Sequence, residues 1–301
     1  MRKNHLNESE SDLMRFFKCL GMEKVAWALR RLYCPVPAGA LVLEVGSGGN
    51  PYARSNVLLD AYEITRERHW APLIADRPTV LGLVENLPFR DGAFDFVIAS
   101  HVLEHSSDPE LFLNELQRVA KAGYIEVPDA FMERVNPYRD HKLEITVRDE
   151  KLIIKKKRAW LDDPAVVELY EDRVKPLMTG ELIPRHPFDF HVRYYWSGRI
   201  NFNIINPADD SSWQHNDNSN SVEFPLTFKS KIKNSILSIL RFLLSQRLRN
   251  KEIDLMSLLR CPACHAETLT HLDDVCLCAK CNVKFQVRNN IPHLLNPVLP
   301  T

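Results

Sequence analysis

Four short apolar runs decide what this chain can fold into. ALVLEVGSGG (40–49), NVLLD (56–60), FDFVIAS (94–100) and AGYIEVPD (122–129) each have the length of a strand, and they close on a glycine turn, an acid or a serine. Between the last two, PELFLNELQRVAKAG (109–123) sets Leu111, Leu113, Leu116, Val119 and Ala120 at helical spacing, with Gly123 as C-cap. Apolar strands alternating with amphipathic helices predict an α/β fold whose parallel sheet is covered on both faces. Ligands of such sheets sit at the C-terminal strand ends.

The rest of the chain divides around that core. Residues 1–37 form an N-terminal helical segment, periodic over 11–33 with Ser11 or Asp12 as N-cap. The main domain is expected over 38–207, with an insertion at 130–189. Residues 141–158 read as a hairpin turning at Asp149-Glu150, and 190–206 as a second hairpin around Ser197-Gly198. Residues 208–254 hold a polar linker and a basic amphipathic helix, and 255–301 form a cysteine module.

Composition removes several function classes. Lys plus Arg and Asp plus Glu both total 39, so no global positive field favours a nucleic acid. No apolar run reaches the roughly 20 residues that span a bilayer, and the first residues lack a secretory apolar region. The expected location is cytoplasmic. The helix over 229–251, with seven Lys/Arg and no acid, suits either packing on the main domain or a peripheral seat on the inner face of a membrane.

Cys261-x-x-Cys264, thirteen residues, then Cys278-x-x-Cys281 is the spacing of two zinc knuckles. Four thiolates close a tetrahedral site, so the zinc is structural. Cys276 is surplus, since the paired spacing selects Cys278.

Gly46-Ser47-Gly48-Gly49 lets backbone approach a ligand closely. A nucleoside triphosphate is disfavoured because the Walker lysine is absent. A dinucleotide is disfavoured because no full helix fits between Gly49 and Asn56 to receive a pyrophosphate. Asp60, closing the next strand, suits two ribose hydroxyls.

VLEVGSGG, LLD, VENLPFRDGAFDFVIASHVLEH and GYIEVPD together resemble the class I S-adenosylmethionine-dependent methyltransferases, in the branch similar to quinone-biosynthesis enzymes. The resemblance spans about 38–130. It implies a Rossmann-like, seven-stranded sheet with an inserted lid, the pair at 190–206 supplying the last two strands. It also implies that Gly46, Ser47, Gly48 and Gly49 pass under the methionine part of S-adenosylmethionine. By the same resemblance Glu44 orients that loop or faces the ammonium, Asp60 holds the ribose, Val84 and Glu85 meet the adenine, and Ser100 lines the cofactor. Leu83 departs from the family, which often has an acid there. The cysteine module and its VKFQVRNNIPHLL (283–295) resemble the zinc-ribbon activators of tRNA, rRNA and release-factor methyltransferases. That likeness implies a ribbon covering an apolar strand edge, in cis or between protomers of a homo-oligomer.

His101-x-x-Glu104-His105 matches a zinc-peptidase pattern, but it starts where a parallel strand ends. Asn50-Pro51-Tyr52 and Asn136-Pro137-Tyr138 imitate the amide- and adenine-methylating motif at the wrong strand ends. Methyl transfer needs alignment and a base. Among His101, Asp129, His141, His186 and His191, the selected bases are His141, which opens the lid hairpin, and His101. Lys155-Lys156-Lys157-Arg158 suits a phosphate group or, more simply, a guarded strand edge. The expected reaction is O-methylation of a small or carrier-linked, sugar-type acceptor. Methylation of tRNA or rRNA and a non-catalytic scaffold are the alternatives.

Overall fold

The computed structural model describes residues 10–65, 71–160, 164–213, 239 and 242–295. Helix α1 (Asp12–Cys19) starts at Ser11, whose hydroxyl accepts from Met14 N, so the cap is the serine. The expected single helix is two. Gly21, at φ 71°, closes α1 by a reversed turn in which Met22 N reaches Phe17 O, and α2 (Glu23–Leu29) begins afresh.

The main sheet takes β1 (Val42–Val45), β2 (Val57–Asp60), β4 (Phe96–Ser100) and β5 (Ala122–Pro128) from the predicted runs, and adds β3 (Thr79–Leu81), which was not expected. With the later strand β8 (His191–Ser197) the order is β3-β2-β1-β4-β5-β8. Helices α3 (Pro109–Val119) and α4 (Ala130–Val135) flank β5 in sequence. β1 to β4 are buried along their whole length, as strands covered on both faces must be.

Among the described residues six strands stand in this sheet, where seven were expected. The hairpin β6 (Leu143–Arg148) and β7 (Lys151–Lys156) forms as predicted, with Asp149 and Glu150 both at positive φ in its two-residue turn. The pair at 190–206 is no hairpin. β9 (Phe202–Ile204) runs parallel to β7, pairing Leu152 with Phe202 and Ile154 with Ile204. The apolar edge of β7, with Leu152 and Ile154 fully buried, takes the strand that the main sheet would otherwise have received.

The chain clusters into two compact units. One holds 36–98, 111–123 and 219–301; the other holds 1–35, 99–110 and 124–218. In the first, β10 (Leu269–Leu272), β11 (Val275–Cys278), β12 (Lys284–Arg288) and β13 (Ile291–Pro292) form a second, antiparallel sheet. Most of the basic helix expected over 229–251 lies outside the described residues. Its described end, Arg247–Lys251, is tied to the first unit's core: Asn250 accepts from Asn56, and Arg249 donates to the carbonyls of Ala38, Gly39 and Ala40. No helix among the described residues is long and apolar enough to cross a membrane.

Candidate functional site

In the first unit β1 delivers the glycine loop. Gly46 and Gly48 sit at φ 63° and 57°, the left-handed region that a side chain would strain. The loop is held from β2. Gly48 N donates to Asp60 Oδ2 at 3.0 Å, Ser47 N donates to Leu59 O, and Tyr62 N donates to Asp60 Oδ1. Asp60 is therefore a buried acid fixed by backbone donors at the end of its strand. Glu44 Oε2 accepts from Tyr52 N at 2.8 Å and from Ser55 Oγ at 2.5 Å, both in the segment that follows the glycine loop. The buried Ser47 hydroxyl has no hydrogen-bond partner among the described residues. Residues 50–56 form only turns, so no helix follows the loop, as its length required. Val84 is buried and Glu85 half-buried in a single 3-10 turn, while Leu83 is 46% exposed.

That turn is braced by the cysteine module, which belongs to the same unit. Asn86 Nδ2 donates to the carbonyl of Pro262, the residue after Cys261. Phe89 bridges Leu259, Arg90 N donates to Leu258 O, and Arg260 N donates to Pro88 O. At the far end of the module, His293 bridges Leu81 of the edge strand β3, and Leu294 N donates to Leu81 O at 2.8 Å. The module thus covers the β3 edge within one chain. Cys261, Cys264, Cys278 and Cys281 converge, their sulfurs all within 4.8 Å of one another. Two of the separations are 3.7 and 3.6 Å. Four thiolates around one zinc ion would stand roughly 3.8 Å apart, so the donors fit that ion and are too far apart for a disulfide. Cys276 is buried in β11 and outside the cluster, as the spacing indicated.

The second unit carries a buried polar cluster. His101 follows β4 at φ 58°, a left-handed conformation stabilised by its N–H donating to Glu126 O. Its ring lies between two buried carboxylates, Nδ1 3.3 Å from Glu104 and Nε2 3.4 Å from Glu126. Burial would lower its pKa, but the two acids outweigh this and push it up to about 9. The two acids thus favour the protonated ring. His141 contrasts with it. The residue is 7% exposed and Nδ1 is 2.7 Å from Glu133 Oε2. Burial, followed by the repulsion of His105, keeps it neutral with its pKa well below the usual histidine range. Ser100 Oγ donates to Glu126 Oε1. His191 packs against Trp27 with the rings tilted by 38°, while Asp129 caps α4 and accepts from Thr146. His186 precedes the short helix Pro187–Phe190.

The tetrad at 155–158 is not an open anion site. Lys155 faces Glu144, Lys156 donates to Pro207 O, Lys157 pairs with Glu133 and Arg158 with Asp209. Sequence reasoning missed Arg30, Glu126 and Glu133. An acid inside the apolar run AGYIEVPD was the available signal for Glu126.

Residues 43–125 match the family of methyltransferase domains. An uncharacterised methyltransferase of Mycobacterium sp. (strain JLS) is 29% identical over 146 residues, 46% of this chain and 58% of its own length. Norajmaline N-methyltransferase of Rauvolfia serpentina is 35% identical over 71 residues, 24% of this chain and 23% of its own. The chain thus spans less than two thirds of the curated relatives it matches. A solved complex of the Haloferax volcanii Trm112 methyltransferase activator with a methyltransferase is similar at 18% identity and a TM-score of 0.33, covering 66% of this chain and 99% of that one. With the Rossmann-like sheet and the glycine loop described above, residues 43–125 are a methyltransferase domain of the S-adenosylmethionine-dependent class.

Proposed function

We propose that the whole chain is an S-adenosylmethionine-dependent O-methyltransferase acting on a small or carrier-linked acceptor, with a structural zinc in its ribbon. The observation that carries the reading is the Gly48 N to Asp60 Oδ2 hydrogen bond of 3.0 Å, which locks a left-handed glycine loop against an acid ending the next strand. The loop presents backbone to the amino-acid part of the cofactor, and Asp60 accepts from its ribose. Val84 and Glu85 take the adenine; Gly49 and Ser100 are carried by resemblance alone.

The sulfonium supplies an activated methyl group. As an acceptor hydroxyl attacks, the S–CH3 bond breaks, an O–CH3 bond forms and the sulfonium becomes a neutral thioether. The hydroxyl's proton leaves to solvent, alignment on the activated sulfonium supplying much of the catalysis. The paired cations at 155–158 remove the support for a phosphate handle, so the acceptor is defined by its hydroxyl. The even charge balance counts against RNA, although the ribbon's resemblance to activators of tRNA and rRNA methyltransferases points to it.

Calorimetric titration of the zinc-loaded chain with S-adenosylmethionine tests the reading. Binding should weaken about tenfold or more in Asp60→Ala, since charge-assisted hydrogen bonds contribute about 1.5–3 kcal/mol. A folded, zinc-replete chain that binds no cofactor would leave the scaffold reading in its place.

A further inference from the structure

Glu104 poses a problem that the methyl-transfer reading leaves unsolved. It is 1% exposed, and among the described residues neither carboxylate oxygen has a hydrogen-bond partner. His101 Nδ1 is near enough to Oε1 for an ion pair, at 3.3 Å, but is not aligned to donate. A buried carboxylate in that condition is costly unless something else satisfies it. The groups around it are imidazoles. One ligand-capable atom each from Glu104, His105 and His141 all lie within 4.8 Å of one another.

Both histidines are set up from behind. His141 Nδ1 is held by Glu133 Oε2 at 2.7 Å, which places its lone pair on Nε2. His105 Nδ1 stands 3.1 Å from the carbonyl of Asp140, the same device with a backbone acceptor. Glu133 is anchored in turn by Lys157 Nζ at 2.8 Å and by Tyr138 N at 3.2 Å. A carboxylate or a carbonyl behind each ring is how metal-ligating histidines are oriented. The two rings meet edge to face, with centroids 4.8 Å apart. Glu104 and His105 come from the turn after β4, whereas His141 comes from the insertion, so the third ligand is not part of the Leu-Glu-His sequence pattern.

We propose that Glu104, His105 and His141 bind a divalent transition-metal ion, separate from the zinc of the four cysteines. Two imidazoles and one carboxylate suit zinc, cobalt or iron(II) rather than calcium or magnesium, which prefer oxygen donors. Three protein ligands leave a position for water or for an oxygen of a small molecule. The peptidase likeness of His101-x-x-Glu104-His105 resolves differently from its motif: the ion takes His141 in place of His101, which is occupied by Glu126 as well as Glu104.

A metal on Nε2 of His141 excludes proton removal by the same atom, so activity of a His141 variant does not test this inference; metal binding does. The full chain, with its cysteine site first saturated with zinc, is titrated with cobalt(II). The expected result is one further equivalent, with visible d–d absorption and no thiolate charge-transfer band. That equivalent should vanish in Glu104→Gln and His141→Ala. Should those buried changes prevent folding, His105→Asn is the replacement test, because His105 is only half-buried. Glu133→Gln, a positioning change, should weaken cobalt binding about 10- to 100-fold while leaving the ligands in place. No cobalt bound beyond the cysteine site, or bands that persist in a folded ligand variant, would overturn the proposal, and neither result bears on cofactor binding.

Discussion

At the scale of single residues, the second unit turns on Glu126. It sits fully buried in β5 and accepts from Arg30 Nε at 2.7 Å and Nη2 at 3.0 Å, Tyr124 Oη at 2.5 Å and Ser100 Oγ at 2.9 Å. Burial would raise its pKa. The charge of Arg30, with His101 and the hydrogen bonds, outweighs burial and holds it well below the usual 4.5. Glu126→Gln leaves Arg30, 8% exposed, without its counter-charge, and urea unfolding should show a loss of about 3–5 kcal/mol. The sign of the pH dependence follows. A carboxyl whose folded pKa is depressed contributes stability that is fully present above its unfolded value near 4.5. That contribution is lost as pH falls below this value towards the folded pKa. Acid unfolding of the wild type should therefore steepen below about pH 4.5 and flatten in Glu126→Gln. The acid was legible in the apolar run; its partner was not, because Arg30 stands 96 residues away on an ordinary amphipathic segment. Gly48 is simpler. Gly48→Ala at φ 57° should cost about 1–2 kcal/mol of stability in thermal unfolding and weaken cofactor binding, since the loop's shape and its hold on Asp60 change together.

At the scale of elements, what could be read depended on whether a signal was local. The hairpin of β6 and β7 was legible because Asp149 and Glu150 make its turn by themselves. The strand pair at 190–206 was not. Its turn signal is real, since Ser197 bridges Arg199 around Gly198 at φ 73°, but the partner of β9 is chosen by the open edge of β7. The helix at 11–33 failed for a local reason that periodicity ignores, the glycine at position 21. The cysteine ladder was legible in full, whereas the surface it covers came only from resemblance. That docking rests on few bonds, so one can be removed. Leu294→Pro deletes the N–H that donates to Leu81 O, and Pro cannot continue such pairing. Amide exchange of Gly82, which donates to Asp60 O, and of the 83–86 turn should accelerate, while the core amides of β10 and β11 stay protected. Unchanged exchange at Gly82 would mean that the ribbon rests on β3 without supporting it.

At the scale of the whole molecule, a structural metal and a sheet edge become one stability problem. Few apolar side chains of the module are buried, chiefly Leu259, Leu269, Phe285, Val287 and Leu294. If the four cysteines hold zinc, a module with so small a core owes most of its folding energy to it; structural zinc contributes about 10–16 kcal/mol in isolated fingers. Stripping zinc should therefore unfold the module and uncover the β3 edge, whose free backbone groups invite pairing between chains. Two readouts follow for the zinc-free chain or for Cys264→Ser. Thermal unfolding should shift down by about 5 °C or more, as the loss of a few kcal/mol does in a domain of this size. Light scattering on heating should then rise with protein concentration, because the uncovered edge is intermolecular in its consequences even though its cover is intramolecular. The alternative, a ribbon that folds and unfolds independently, makes a different pattern: a separate low-temperature transition and an unshifted main one. Cofactor affinity discriminates further. The module's Pro262 carbonyl holds Asn86 beside Val84 and Glu85, so a chain deprived of zinc should also bind S-adenosylmethionine more weakly, and an independent ribbon would leave that affinity untouched.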